Sequence, residues 1–122
     1  MASKNVETAY AIDRAFNRRD YQSVRALLAE DVTYVDTSTG RVYRGRDEFI
    51  GFMKGWVEAL SNAEVWEPSY HDAGDVVVSQ FIARGKNDGA LGALPPTGKQ
   101  LNLSFCEIVR FDRKGQVTTV HG

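Results

Sequence analysis

The sequence predicts an α+β domain in which helices cover one side of a curved antiparallel sheet. Two helical patterns come first, over residues 3–17 and directly after Asp20, and a short hairpin and a long amphipathic helix follow. The remainder is a run of strands separated by turns, which is typical of an antiparallel meander. No stretch of the 122 residues repeats, and no change in composition divides them, so we expect one domain over residues 1–122.

The first two helices are predicted from side-chain spacing and from capping residues. Over residues 3–17 apolar side chains recur near helical spacing, and Ser3 or Asn5 can cap the N-terminus. Asp13 interrupts this apolar stripe, so the spacing does not decide which face of the helix is buried. The second helix is short, with Asp20 as its cap and an apolar side made of Tyr21, Val24, Leu27 and Leu28.

A hairpin and the longest helix come next. Residues 32–37 are rich in β-branched and aromatic side chains, residues 38–40 are typical of a turn, and residues 41–44 form the return strand. From Gly45 to Leu60, apolar residues recur with the spacing of one helical face, which predicts core packing against a sheet. This stripe consists of Phe49, Phe52, Met53, Trp56, Val57 and Leu60.

Four strands are predicted after the long helix. The first covers residues 64–72 and contains Pro68, which cannot donate a backbone hydrogen bond and therefore indicates an edge strand or a bulge. The other three cover residues 75–85, 99–112 and 116–120.

A connection rich in Gly and Pro, residues 86–98, joins two of these strands. Long loops of this kind are often lids or binding loops. We therefore expect Leu91 and Leu94 of this connection to cover the mouth of a binding site.

One carboxylate lies in the middle of an apolar row on the strand over residues 99–112. Alternate side chains of a strand share a face, and the odd positions from Leu101 to Phe111 are apolar except for Glu107. An ionised carboxylate in an apolar interior is costly, so such a group is paired, protonated or next to a cavity. Glu107 is therefore the first candidate for a functional residue. The alternatives are a twist or bulge at this position, or an ion pair with an arginine.

Asp36 is the second candidate acid, because it shares a strand face with Val32 and Tyr34. If Asp36 and Glu107 point into one cavity, burial and mutual repulsion raise the pKa of a carboxyl group there. One acid could then accept a proton while the other, kept protonated, donates a hydrogen bond to a developing oxyanion. The sequence leaves open whether the two converge, and Asp36 could equally be an exposed residue at the end of a strand.

Large aromatic side chains could form the wall of a pocket for a flat, mostly apolar molecule, or could fill a dry core. His71, next to a predicted turn, could carry a proton because its unperturbed pKa is near neutrality, or could simply be solvated. The residues predicted to bind a ligand are Tyr10, Tyr34, Phe52, Trp56, Phe81, Phe105 and His71.

Composition and motifs argue against several classes of function. The net charge is −1 with scattered Lys and Arg, so we expect no nucleic-acid partner, and no apolar run approaches the length of a membrane span. The lone Cys106 excludes an internal disulfide and a multi-cysteine metal site, and we interpret it as a packing or interface residue. The two His lack metal-ligand spacing, so we expect no metal. The N-terminus lacks the apolar segment of a signal peptide, and we expect a cytoplasmic protein.

The order of elements and several motifs resemble the nuclear-transport-factor-2-like (NTF2-like) superfamily and, within it, the SnoaL-like polyketide cyclases, or ester cyclases. The most specific stretch is residues 85–120, where GKNDGALGALPPTGK and FCEIVRFDRKGQV are similar to the family's glycine-rich, PPTGK and RF pattern. Residues 29–36 and 43–56 also resemble the family. The resemblance implies a cone, with a strongly curved antiparallel sheet wrapped around three helices and a central pocket. It also implies a homodimer packed through the outer sheet face.

The resemblance also implies roles for particular residues. The proton-shuttling Asp of the related ketosteroid isomerases falls on Asp36 and their oxyanion-hole Asp on Glu107, whereas their oxyanion-hole Tyr falls on Ile12. This departure argues against steroid isomerisation. In the polyketide cyclases an acidic residue is the general acid–base of a cofactor-free aldol closure, and that role falls on Glu107. Relatives extend the final strand, so we expect a C-terminally short chain at Gly122, with one pocket wall short or supplied by a partner subunit.

We therefore expect a cofactor-free enzyme, of the isomerase or lyase class, that transfers a proton at the carbon next to the carbonyl of a small hydrophobic compound. Asp36 or Glu107 would be the base, and the other would stabilise the enolate. The alternative is a non-catalytic module for small-molecule binding or dimerisation, which Ile12 and the short C-terminus favour. Epoxide opening is a third possibility, matched only in part by Asp36, Tyr34 and Arg44.

Overall fold

The computed structural model describes residues 3–122 and has the α+β architecture that the sequence predicts. Most element boundaries lie within one residue of those predicted. The main difference is Leu28, expected on the second helix, which begins the first strand and is fully buried there. Within the described range the elements are α1 (Lys4–Asn17), α2 (Tyr21–Ala26), β1 (Leu28–Asp36), β2 (Arg41–Arg44), α3 (Gly45–Ala59), β3 (Glu64–Asp72), β4 (Val76–Lys86), β5 (Gln100–Phe111) and β6 (Val117–His121).

The side-chain caps predicted for the first two helices are confirmed. The Ser3 hydroxyl accepts a hydrogen bond from the Val6 N–H at 3.1 Å, and an Asp20 carboxylate oxygen accepts one from the Ser23 N–H at 3.1 Å. Each cap satisfies an N–H group that has no partner inside the helix. The caps thereby determine where α1 and α2 begin.

The six strands form one sheet in the order β2-β1-β6-β5-β4-β3. The hairpin β1–β2 and the meander β3–β4–β5–β6 are antiparallel, as predicted. β6 also pairs with β1, in parallel, and so joins the hairpin to the meander. The sequence gives no sign of this pairing, because side-chain periodicity indicates a strand but not its partner.

The edge position predicted for β3 is confirmed, and the strand is also bulged. Its register against β4 shifts between Trp66 and Ser69, on either side of Pro68, and Glu67 has a φ of 51°. Bulges bend a strand and increase its twist. Because further register shifts occur where β6 meets β1 and β5, the sheet can curve around the helices.

Both long helices pack on the same face of the sheet, α1 against β3 and β4 and α3 against β1 and β2. On β5 the odd-numbered side chains are partly or fully buried and the even-numbered ones are exposed, including Cys106 and Ile108. The alternation inferred from the sequence therefore directs Glu107 towards the helices and Cys106 to the outer face.

The side chain of Asn87, which is only 4% exposed, stabilises the connection between β4 and β5 through hydrogen bonds. Its amide nitrogen donates to the carbonyl oxygens of Ala59 (3.2 Å) and Gly89 (2.8 Å). Its amide oxygen accepts hydrogen bonds from the Thr97 N–H (3.1 Å) and the Thr97 hydroxyl (2.9 Å). Asn87 thus connects both ends of the loop to the C-terminal end of α3.

Replacing Asn87 by Ala is expected to destabilise the protein by about 2 to 3 kcal/mol, because it removes four hydrogen bonds that Ala cannot replace. Urea unfolding followed by circular dichroism measures the change. Asn102→Ala, on the exposed face of β5, is the matched control and should change the free energy of unfolding by less than about 0.5 kcal/mol. Equal changes in the free energy of unfolding for the two variants would contradict a stabilising role of the Asn87 hydrogen bonds.

Candidate active site

A cavity of about 90 Å³ lies between the helices and the inner face of the sheet and is partly open to solvent. Its wall is largely apolar and aromatic. The Phe81 and Phe105 rings stack with centroids 5.2 Å apart, and Trp56 meets Phe105 edge to face at 5.6 Å. The lining residues with apolar or aromatic side chains are Ala9, Ile12, Phe16, Tyr34, Phe49, Phe52, Met53, Trp56, Leu60, Ala63, Val65, Phe81, Ala83, Phe105, Val109 and Val120.

Glu107, from the centre of β5, is one of three carboxylates on this largely apolar wall. The Tyr34 hydroxyl donates a hydrogen bond to its Oε2 at 2.7 Å. Burial raises the pKa of Glu107 from 4.5 to about 7, the charge of Asp13 adds to this rise, and the hydrogen bond from Tyr34 opposes it. Glu107 therefore takes up and releases a proton near neutral pH.

Asp13, from α1, is another carboxylate on the cavity wall. The Tyr70 hydroxyl donates a hydrogen bond to its Oδ2 at 2.6 Å. Burial raises the pKa of Asp13 from 3.8 to about 6, and the hydrogen bond from Tyr70 opposes this rise. The two acids thus have similar surroundings: each is half-buried, and each accepts a hydrogen bond from a tyrosine.

Both tyrosines stay neutral and keep their protons. Burial, together with the neighbouring carboxylates, raises the pKa of Tyr34 and of Tyr70 well above the ordinary value of 10. A neutral phenol is a hydrogen-bond donor to a carboxylate at any physiological pH. Tyr34 and Tyr70 therefore orient Glu107 and Asp13 without exchanging protons with them.

The other polar side chains on the wall are Glu64 and Ser79. Glu64 forms an ion pair with Arg84 at 2.8 Å, whereas the buried Ser79 hydroxyl has no partner among the described residues. No Lys, Arg or His from residues 3–122 lines the cavity, so no cation on its wall compensates the charges of Asp13 and Glu107.

The model of the SnoaL-like domain matches residues 6–120, which is nearly the whole chain. The chain belongs to the SnoaL-like domain family. This confirms the resemblance inferred from the sequence motifs. No protein among the curated sequences matches this SnoaL-like domain.

Solved structures show the same fold. An NTF2-like protein of unknown function from Burkholderia pseudomallei is 25% identical, with a TM-score of 0.79 over 98% of this chain and 89% of that one. A proposed SnoaL-like polyketide cyclase from Jannaschia is 22% identical, with a TM-score of 0.87 over 97% of this chain and 83% of that one. A Catenulispora acidiphila protein with a ketosteroid isomerase-like fold, solved with trimethylamine, is 23% identical, with a TM-score of 0.77 over 94% and 82%. The predicted NTF2-like architecture is therefore confirmed.

Six of the residues predicted to form the site of this SnoaL-like domain line the cavity. They include Glu107 and the aromatic residues from β1, α3, β4 and β5, and the α3 stripe packs on the sheet as expected. The six are Tyr34, Phe52, Trp56, Phe81, Phe105 and Glu107.

Asp36 does not share the cavity with Glu107. It ends β1, and its carboxylate accepts hydrogen bonds from the Ser38 N–H (3.1 Å) and the Ser38 hydroxyl (2.7 Å) in the turn before β2. An Asp that follows a strand readily forms such a local turn. The second acid of the cavity is Asp13 instead.

Two predicted binding residues also lie outside the cavity. Tyr10 is 45% exposed and its hydroxyl accepts a hydrogen bond from Arg14, while His71 is exposed on the edge strand β3. The two loop leucines do not line the cavity either: Leu91 packs near Leu60 and Leu94 is 65% exposed. The homodimer and the cytoplasmic location stay predictions.

The residues that sequence reasoning missed are Asp13, Tyr70 and Ser79. Asp13 is four residues after Ala9 and one after Ile12, both buried, so it lies on the buried face of α1. Asp13 is thus a carboxylate in an apolar row, which is the same pattern that identified Glu107. Ser79 likewise lies between Val77 and Phe81 on one strand face, whereas nothing in the sequence distinguished Tyr70.

Within the described residues, no group of three or more His, Cys, Asp or Glu side chains is arranged to hold a metal ion. In the same range, no helix combines the length and the apolar character needed to cross a membrane.

Proposed function

We propose that this SnoaL-like domain is a cofactor-free acid–base enzyme that transfers a proton at the carbon next to the carbonyl of a small hydrophobic compound. The observation that carries the proposal is the pair of acids, Asp13 and Glu107, that line one aromatic cavity with pKa values raised to about 6 and about 7. An acid–base group is most effective when its pKa lies near the working pH.

The effect of Asp13 on the pKa of Glu107 suggests a role for each acid. The negative charge of Asp13 raises the pKa of Glu107, so the state with one proton on the pair is best described as ionised Asp13 and protonated Glu107. Asp13 then removes the proton from carbon. Protonated Glu107 donates a hydrogen bond to the carbonyl oxygen, where negative charge develops. This division replaces the one expected for Asp36 and Glu107.

The size of the cavity restricts the ligand. At about 90 Å³ it is smaller than the engineered apolar cavity of roughly 150 Å³ that holds benzene. The enclosed part therefore accommodates a reacting end smaller than benzene, which has six non-hydrogen atoms. Because the cavity is partly open, the rest of a larger substrate would extend out of it.

Proton exchange tests the proposal without knowledge of the natural substrate. Cyclopentanone, with six non-hydrogen atoms, should lose its protons next to the carbonyl to D₂O faster with protein than in buffer. Proton NMR measures this rate, and we expect a maximum between pH 6 and 7, because one acid must be ionised and the other protonated. An Asp13→Asn/Glu107→Gln double variant that exchanges as fast as the wild type would refute the proposal.

A second candidate is a binding module without chemistry, and one observation favours it. Three acids and several aromatic rings line the cavity, and only Glu64 among these acids is paired with an arginine. No basic residue of the described chain lines the cavity, so a small organic ammonium ion would complement its charge. One fold neighbour was solved with trimethylamine. Trimethylammonium binding seen by NMR titration, without any cyclopentanone exchange, would favour this candidate over the enzyme.

A further inference from the structure

The hydroxyl of Ser79 is buried but has no hydrogen-bond partner among the described residues. The residue lies on β4, is 2% exposed and lines the cavity. Among residues 3–122 its Oγ is the buried side-chain polar atom that lacks a hydrogen-bond partner. An unpaired buried polar group costs more free energy than an average intramolecular hydrogen bond contributes.

Packing does not explain a hydroxyl at this position. The neighbours of Ser79 on the same face of β4 are Val77 and Phe81, both apolar and buried. Alanine or valine would continue this face without an unpaired polar atom. The hydroxyl is therefore better explained by a polar partner that enters the cavity.

The position of Ser79 indicates where that partner would lie. Ser79 is directly opposite Glu107 in the antiparallel pair β4–β5, and such side chains have Cβ atoms about 4.5 to 5.5 Å apart. Glu107 nevertheless receives its hydrogen bond from Tyr34 and not from Ser79. A ligand atom beside Glu107 is thus also within reach of the Ser79 hydroxyl.

We propose that Ser79 binds the carbonyl oxygen of the ligand by donating a hydrogen bond from its Oγ. The inference rests on the proposed function, since it takes the ligand to be a carbonyl compound. It also orients the ligand: the oxygen lies between Ser79 and Glu107, and the carbon skeleton lies against the rings of Trp56 and Phe105.

The test compares two ligands of the same shape that differ in one oxygen atom, cyclopentanone and methylenecyclopentane. NMR titration gives the dissociation constant of each for the wild type, Ser79→Ala and Ser104→Ala. Ser104 lies on the exposed face of β5 and is the matched control. We expect Ser79→Ala to reduce the preference for the ketone about 3- to 10-fold, with the affinity for the hydrocarbon maintained, and Ser104→Ala to leave the preference unchanged.

Two outcomes overturn the inference. In the first, Ser79→Ala prefers cyclopentanone over methylenecyclopentane as strongly as the wild type does. In the second, Ser79→Ala loses affinity equally for both ligands, which indicates a damaged cavity. Ser79→Ala removes an unpaired hydroxyl, so we expect it to fold with at least the wild-type urea midpoint. Ser79→Cys, a weaker donor of similar shape, should also reduce the preference and gives a second reading. Because the preference is measured by binding alone, absent proton exchange would refute the proposed reaction and leave this result standing.

Discussion

Asp13→Asn is expected to lower the rate of cyclopentanone proton exchange by roughly 10²- to 10⁴-fold, the contribution of a well-placed general base. Asparagine has nearly the same shape and can still accept the hydrogen bond from Tyr70, but it cannot take up a proton at neutral pH. The rate next to the carbonyl, measured in D₂O by proton NMR at pH 6.5, reports the loss directly.

The matched control is Asp31→Asn, because Asp31 is exposed on β1 and does not line the cavity. It should exchange at the wild-type rate. A decrease in Asp13→Asn of less than about tenfold, with cyclopentanone still bound, would assign the base to another group. Loss of binding in the same variant would instead indicate that Asp13 positions the ligand.

The second large effect concerns stability and pH. Glu107 and Asp13 bind protons more tightly in the folded protein than in the unfolded chain, since burial raises their pKa from 4.5 to about 7 and from 3.8 to about 6. Their contribution to stability is therefore complete below about pH 4 and is lost as the pH rises to about 7. Glu107→Gln removes one ionisable group, so relative to the wild type it should gain about 2 to 3 kcal/mol between pH 4.5 and 8.

Urea unfolding of the wild type and Glu107→Gln at pH 4.5, 6 and 8 measures this gain. Glu30→Gln, at an exposed position of β1, is the control and should follow the wild-type dependence on pH. Parallel curves for the wild type and Glu107→Gln would mean that Glu107 titrates in the folded protein as it does in the unfolded chain.

The local elements of the fold could be predicted well because short-range physics determines them. Ser3 and Asp20 cap helices, the α3 stripe has the spacing of one helical face, and Pro68 is excluded from central strands. The parallel pairing of β1 with β6 could not be predicted in this way, because it joins segments from opposite parts of the chain.

A site residue could be predicted where the pattern on one strand or helix face identifies it. It could not be predicted which side chains from separate elements meet in one cavity. Glu107 stood out because every neighbour on its face is apolar, whereas Asp36 shared a face with apolar residues but forms a turn with Ser38. Asp13 had the same apolar surroundings on α1. Which acids meet depends on how α1 crosses the sheet, and no single segment encodes that.

The position of β6 has a consequence for the order of folding during synthesis. β6 lies between β1 and β5, so the early hairpin and the later strands belong to one sheet only through residues 117–121. Until those residues have left the ribosome, β1 and β5 each expose an unpaired strand edge, a state that favours aggregation. The two halves of the sheet therefore become one only when β6 has paired with both β1 and β5.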